Sequence, residues 1–178
     1  MLVDRIIGAL TFRSGVYDDV ENDVSFTQMA WIIVIVTSFL NELGSRGGLR
    51  SAIVGTIFAI AGFYVFAWIV NWVGREVFKA QVTTDELIRT LGLASVWRVF
   101  GVLGLFLGGL GGLIAFLASL LGLVAQLVAA KAALDLEWVQ VIVTVVIGFI
   151  VFMVFLAIAG VVIGILGLGA VAATGILR

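Results

Sequence analysis

The sequence predicts an all-α membrane protein, a polytopic helical bundle with five transmembrane helices and an N-terminal amphipathic interfacial helix. Of its 178 residues, 63% are apolar and 12% are charged, and the mean hydropathy is +1.29. Soluble domains are about 45–50% apolar and about 25% charged. The charges gather in islands that leave the uncharged windows 24–41, 51–74, 99–130 and 138–177. A helix needs about 20 apolar residues to cross a bilayer, so each window is long enough, or nearly so, for a span.

Composition also limits the chemistry that the chain can perform. The sequence contains no cysteine and no histidine, which removes thiolate nucleophiles, disulfides and the usual general base and metal ligand. The net charge of −1 offers no basic surface for nucleic acid. The uncharged windows hold no carboxylate for a proton-coupled carrier, and the sequence carries no phosphate loop, nucleophile elbow or catalytic dyad. We therefore predict no enzymatic activity, no cofactor and no metal.

Residues 1–24 are predicted to form an amphipathic and acidic cytoplasmic lead, before a transmembrane domain at 25–178. Leu2, Ile6, Ile7 and Leu10 share one face at helical spacing, so a short helix on the membrane surface is expected. The acidic run that follows favours a solvated linker over a cation site, because it shows no fixed ligand spacing: Asp18, Asp19, Glu21 and Asp23.

The first two spans are delimited by capping residues and glycines. Span one is predicted over 26–43, because residues 25–28 have the pattern of a capping box and Gly44 follows. Span two begins after Ser51 and ends at Gly74. Three aromatic residues toward its end fit the belt of a membrane interface: Tyr64, Trp68 and Trp72.

The third and fourth spans are predicted to form a hairpin. A second capping box at 83–86 starts the third helix, which runs through Arg98 to about Leu107. The glycine cluster at 108–112 allows a tight turn, and the fourth span follows from Leu113 to about Leu134. The alternative is one helix across 99–130, about 50 Å long at 1.5 Å per residue, which is long for a single span.

The last window is predicted to hold one span from Trp138 to about Gly160, followed by a glycine-rich apolar tail. Two spans with a turn near 164–169 would leave the second too short to cross. Lys and Arg are more numerous on the side that holds the N-terminus and the loops at 74–84 and 131–137. This bias places the N-terminus in the cytoplasm and the C-terminus on the outside of the membrane.

Arg98 is the only ionisable residue well inside a predicted span. It either snorkels toward the headgroups near Arg89, or it contacts a lipid phosphate or forms an ion pair with another helix. Two glycine patterns suit close helix approach, either inside the bundle or against a partner: Gly104-x-x-x-Gly108-x-x-x-Gly112 and Gly160-x-x-x-Gly164. The neutral polar residues are expected to hydrogen-bond neighbouring helices: Asn71, Ser119 and Gln126.

Residues 74–104 (GREVFKAQVTTDELIRTLGLASVWRVFGVLG) resemble the cytoplasmic loop and third span of the Yip family. In that family a helix with the pattern E-x-x-R-x-x-G-(F/Y)-A follows the loop. Glu86, Arg89, Gly92 and Ala94 stand at matching positions, with Leu93 in place of the aromatic residue. Residues 124–136 (VAQLVAAKAALDL) are similar to the exit of the fourth span in bacterial members. Family members commonly carry prolines after the motif and near the lead, whereas this chain has none.

The resemblance implies a small bacterial-type member with five spans. The long cytosolic N-terminal region of eukaryotic members is missing, so binding of Rab-type GTPases is not carried over. We expect a non-enzymatic scaffold or accessory subunit of a larger membrane complex, whose partners are the lipid bilayer and other membrane subunits or a second copy. The alternative is a small-solute or lipid transporter or channel, which would need a polar path from the few candidates: Tyr64, Asn71, Arg98 and Gln126.

Overall fold

The chain folds into helices of very different lengths. A computed structural model describes residues 1–13, 15–45, 48–154 and 157, which all lie before the predicted glycine pair Gly160 and Gly164. No strand occurs in the described residues. The elements are α1 (Leu2–Leu10), α2 (Gly15–Glu21), α3 (Phe26–Gly44), α4 (Gly48–Phe78), α5 (Thr84–Ala94), a 3-10 helix (Ser95–Val102), α6 (Leu103–Leu134) and α7 (Trp138–Val154).

Three helical segments are long and apolar enough to cross a membrane: α3, α4 and the run of helix from Thr84 to Leu134. The described part of α7 is apolar but shorter. Large apolar side chains such as Phe58, Phe106 and Leu110 are exposed on the outside of these helices, as expected for a surface in lipid. The predicted all-α architecture is therefore confirmed, and the long apolar helices support a membrane location.

The two predicted capping boxes have different outcomes. At the start of α5, the Glu86 N–H donates to the Thr83 hydroxyl at 3.3 Å, and the Thr83 N–H donates to the Glu86 carboxylate at 2.7 Å. Ser25 precedes α3 as predicted, but its side chain forms no cap. Its hydroxyl donates to the Asp23 carboxylate instead. The capping box at Ser25 was wrong because the acid two residues earlier takes the hydroxyl.

The run from α5 to α6 reverses direction at Gly108. Gly108 has φ 56° and ψ −127°, a conformation that only glycine adopts readily. Beyond it the chain returns along its own path, so that a Cβ on Gly122 would lie 3.2 Å from the Cβ of Trp97. A straight helix would separate these two residues by about 37 Å. The predicted glycine turn is confirmed, and the single long helix is excluded. The two arms are called the first arm (84–107) and the second arm (109–134).

The first arm runs parallel to α3 and packs closely against it. A Cβ on Gly92 would lie 3.0 Å from the Cβ of Ala30, and a Cβ on Gly104 would lie 2.7 Å from the carbonyl oxygen of Gly44. The pairs follow the same order along both helices, which shows that the two are parallel. Small residues at each contact let the two backbones approach, as is common between membrane helices.

Helix α7 packs against α4 in the opposite direction. The Phe152 ring lies beside Gly62, and Val70 contacts Gly148. The Phe66 and Phe152 rings also meet edge to face, with their centroids 6.0 Å apart. Residue numbers that rise along α4 therefore fall along α7, which shows that the two helices are antiparallel.

The first 24 residues form two helices that pack onto the hairpin. Val16, Tyr17 and Val20 of α2 are fully buried and belong to the same apolar core as the two arms. Asp18, Asp19 and Glu21 of the acidic run lie on this helix and Asp23 lies just after it, so the expected linker is largely helical, with Asp18 and Asp19 exposed. The predicted helix at the N-terminus is present as α1. Of the four apolar residues predicted to share one face, Ile6 and Leu10 pack on the core, whereas Leu2 and Ile7 are exposed.

Candidate functional site

Arg89, on the first arm, is the most completely bonded charged side chain in the described chain. Its side chain donates to the carbonyl oxygens of Val20 and Glu21, from Nε at 3.1 and 2.9 Å, and Nη2 also donates to the Glu21 oxygen. Nη1 donates to the Thr27 hydroxyl at 3.3 Å. A cation on the last carbonyls of a helix satisfies acceptors that have no partner within the helix. Arg89 therefore fastens the end of α2 to the first arm.

The four residues that match the Yip pattern all have packing roles. Glu86 completes the capping box of α5, and Arg89 holds α2. Gly92 lies against Ala30 of α3, and Ala94 is buried. The spacing of the pattern is thus explained in this chain by how α5 meets α2 and α3.

Arg98 lies farther along the same arm at the edge of a cavity of about 320 Å³ between the 3-10 helix, α3 and the second arm. Its Nη1 donates to the Ser38 hydroxyl at 3.3 Å, and in the described residues it forms no ion pair. Glu42 attracts the guanidinium from beyond ion-pair distance. The polar residues around the cavity are Asn41, Ser95, Arg98, Ser119 and Gln126, and small residues form much of its wall: Ala94, Gly101, Ala115, Ala118 and Gly122.

The level of Arg98 in the bundle bears on the prediction that it snorkels toward the headgroups. Ser38 lies about 18 Å along α3 from Phe26 and about 9 Å before Gly44, at 1.5 Å per residue. Arg89 pairs with Thr27, at the beginning of α3. Arg98 is therefore nearer to the end of the bundle opposite Arg89, which does not favour snorkelling toward the headgroups near Arg89, and this alternative stays a prediction.

The neutral polar residues predicted near the spans separate into two groups. Gln126 and Ser119 line the cavity with Arg98. Asn71 lies elsewhere and donates to the Thr84 hydroxyl at 2.7 Å, as expected for contact between helices. Tyr64 is exposed on α4 and stacks with Trp31, so it is not part of the cavity.

The predicted glycine series on the hairpin does not form one helical face, because Gly108 breaks the helix. Gly104 packs on Gly44 inside the bundle, whereas a Cβ on Gly112 would meet no atom within 4 Å. Gly109, next to the turn, is equally open. The predicted partner interface stays a prediction, and Gly112 is its outward-facing member in the described chain.

An acidic cluster surrounds the end of α2 beside Arg89. Burial raises the pKa of Glu21 above its ordinary value, the charges of Glu86, Asp18 and Asp135 raise it further, and Arg89 opposes them. The pKa of Asp23 is lowered by its hydrogen bonds with Ser25 and Arg5. No group of three potential metal ligands occurs in the part of the chain that the structure describes.

Comparison with known proteins identifies no family for this chain. No family model, no curated protein and no solved structure matches it. The resemblance to the Yip family therefore stays a prediction that depends on the motif alone.

Proposed function

We propose that this chain is a non-enzymatic membrane protein that acts as a scaffold or accessory subunit of a larger membrane assembly. The observation that carries the proposal is the open surface at Gly109 and Gly112, on the outside of the hairpin. Glycine lowers helix stability by about 1 kcal/mol relative to alanine in water and offers no side chain to lipid. It is favoured where another backbone approaches, as at Gly104 and Gly44 inside this bundle.

Buried polar side chains that join neighbouring helices support a role in packing. Arg89 bonds to α2, and the Thr37 and Ser95 hydroxyls of α3 and the first arm lie 3.4 Å apart. Asn71 bonds to Thr84 across α4 and α5. These groups hold helices together, which suits a protein that presents a rigid surface to a partner.

A pair of glycine substitutions tests the scaffold role. Gly112→Leu should leave thermal stability unchanged in detergent and should reduce association with partners or with a second copy on native gels and after crosslinking. Gly104→Leu should lower stability, because the new side chain meets the Gly44 carbonyl oxygen. Ala61→Leu, on the exposed face of α4, is the control for added surface bulk. Unchanged association in Gly112→Leu would contradict the proposal.

We also propose five spans, with the N-terminus in the cytoplasm of a bacterial inner membrane. The hairpin supplies a third and a fourth span, and α7, antiparallel to α4, supplies the fifth. Single cysteines at Ser45, Gln81, Gly109 and Thr174 test this topology, since the chain has no cysteine of its own. Gln81 should label only from the cytoplasm and the other three only from outside. Labelling of Thr174 from the cytoplasm would contradict five spans.

Transport of a lipid or small solute is the second candidate, and the cavity beside Arg98 favours it. Gln126 and Ser119 bring further polar groups to the same place. Flux into proteoliposomes that depends on Arg98 would support this candidate over a purely structural role.

A further inference from the structure

The cavity beside Arg98 contains donors that the chain itself does not satisfy. The guanidinium carries five N–H donors, and its only hydrogen bond in the described chain is the one to Ser38. Unsatisfied donors on a cation favour a ligand that is rich in acceptors and negatively charged.

Arg98 also forms no ion pair in the described chain, and Glu42 attracts its charge only from beyond ion-pair distance. Every Asp and Glu of the sequence lies in the described residues, and none is within 4.0 Å of the guanidinium. An arginine within a membrane-spanning helix is costly unless it is paired or reaches the headgroups. An anion from outside the chain would supply the missing partner.

The surroundings of the cavity select the kind of anion. Leu123 lines it and is 54% exposed, and Phe116 and Leu120 are exposed on the same arm. This apolar surface beside the cation can pack against acyl chains, whereas a small soluble anion would make no favourable contact with it. Ser38, which accepts from the guanidinium, lies about 9 Å before the end of α3, a depth at which local thinning of the bilayer brings a headgroup within reach.

We propose that this cavity binds the headgroup of an anionic phospholipid, with Arg98 donating to the phosphate oxygens. The planar guanidinium can donate two parallel hydrogen bonds to a phosphate. The Asn41 and Gln126 amides offer further polar contacts to the glycerol and ester oxygens. A volume of about 320 Å³ is at the small end of ligand sites and suits a headgroup rather than a whole lipid. The lipid site does not depend on the scaffold role.

Thermal unfolding of the full chain in detergent tests the proposal. Added phosphatidylglycerol should raise the unfolding temperature more than phosphatidylcholine with the same acyl chains, and inorganic phosphate at matched ionic strength should have no effect. Arg98→Gln should weaken the response to phosphatidylglycerol about tenfold or more in lipid concentration. Arg75→Gln removes an exposed charge outside the cavity and should respond as the native protein does.

A second variant covers the possibility that Arg98→Gln does not fold. Ala115 lines the cavity and is partly exposed, so Ala115→Leu fills the space and keeps the arginine. It should also lose the preference for phosphatidylglycerol, whereas Ala61→Leu on α4 should keep it. Equal responses to the two lipids in the native protein would overturn the proposal. An equal response to inorganic phosphate, or a full response in Ala115→Leu, would overturn it as well.

Discussion

Arg89 and Arg98 lie on the same arm of one hairpin, nine residues apart, in opposite environments. Arg89 is 5% exposed and bonds to two carbonyl oxygens and a hydroxyl of the chain. Arg98 is exposed at a cavity and makes one bond of 3.3 Å. The residue type is the same, so the difference comes from the neighbours. Helix α2 ends against Arg89, whereas small residues leave space around Arg98.

Arg89 is therefore a structural arginine, whereas Arg98 is available to a ligand. A buried cation whose three guanidinium nitrogens all donate inside the chain contributes to folding and is not accessible to a ligand. A cation with unused donors adds little to folding and retains its capacity to bind. Substitution of Arg89 and substitution of Arg98 should therefore have different effects on stability.

The largest effect is expected at Arg89. Arg89→Gln removes charged hydrogen bonds and leaves buried carbonyl oxygens at the end of α2, which should lower the free energy of unfolding by about 3 kcal/mol. Denaturant unfolding in detergent measures this free energy. Arg75→Gln, an exposed cation on α4, should change it little. A similar loss in both variants would mean that the bonds to α2 contribute little.

The contact between α3 and the first arm should be nearly as sensitive. A Cβ on Gly101 would overlap the Asn41 side chain and lie 2.9 Å from the Asn41 Cα. Gly101→Ala should therefore destabilise by about 1–3 kcal/mol through overpacking. Gly109→Ala has open space and should be neutral or slightly stabilising, because alanine favours helix. If Gly101→Ala is as stable as Gly109→Ala, the close contact is not formed.

A smaller effect is expected at the capping box that begins the first arm. Thr83→Ala removes the acceptor for the Glu86 N–H and should cost about 1 kcal/mol. Ser25→Ala is the matched control, because Ser25 precedes α3 without capping it. Thermal unfolding of the two variants should show a clear loss only for Thr83→Ala, and equal losses would contradict the assignment of the cap.

The smallest effect is a pH dependence at Glu21, which adjoins Arg89. Burial and nearby acids raise its folded-state pKa above the ordinary value of 4.5. Between the two pKa values the folded state binds more protons than the unfolded state, so stability falls as pH rises through this window. Glu21→Gln should flatten this part of the stability profile and stabilise the protein at neutral pH. A profile unchanged by the substitution would show that Glu21 does not titrate there.

The sequence predicted more of the fold than of the site. The capping box at Thr83 and the turn at Gly108 follow from local rules about capping and glycine, and both are present. Helix α3 has nearly the predicted limits, although the capping box expected at Ser25 is not formed. The role of Arg89 was not predicted, because it depends on α2 folding back 68 residues earlier in the chain. Arg98 stood out from its apolar neighbours, but its cavity depends on how α3 and the second arm pack.

The most direct test of the contrast is to measure unfolding of Arg89→Gln and Arg98→Gln with and without phosphatidylglycerol, in the same detergent. Arg89→Gln should lose the same stability in both conditions, since its bonds are internal. Arg98→Gln should match the native protein without lipid and fall below it only when phosphatidylglycerol is present. A loss in Arg98→Gln that is equally large without lipid would show that both arginines are structural and that Arg98 does not bind the lipid.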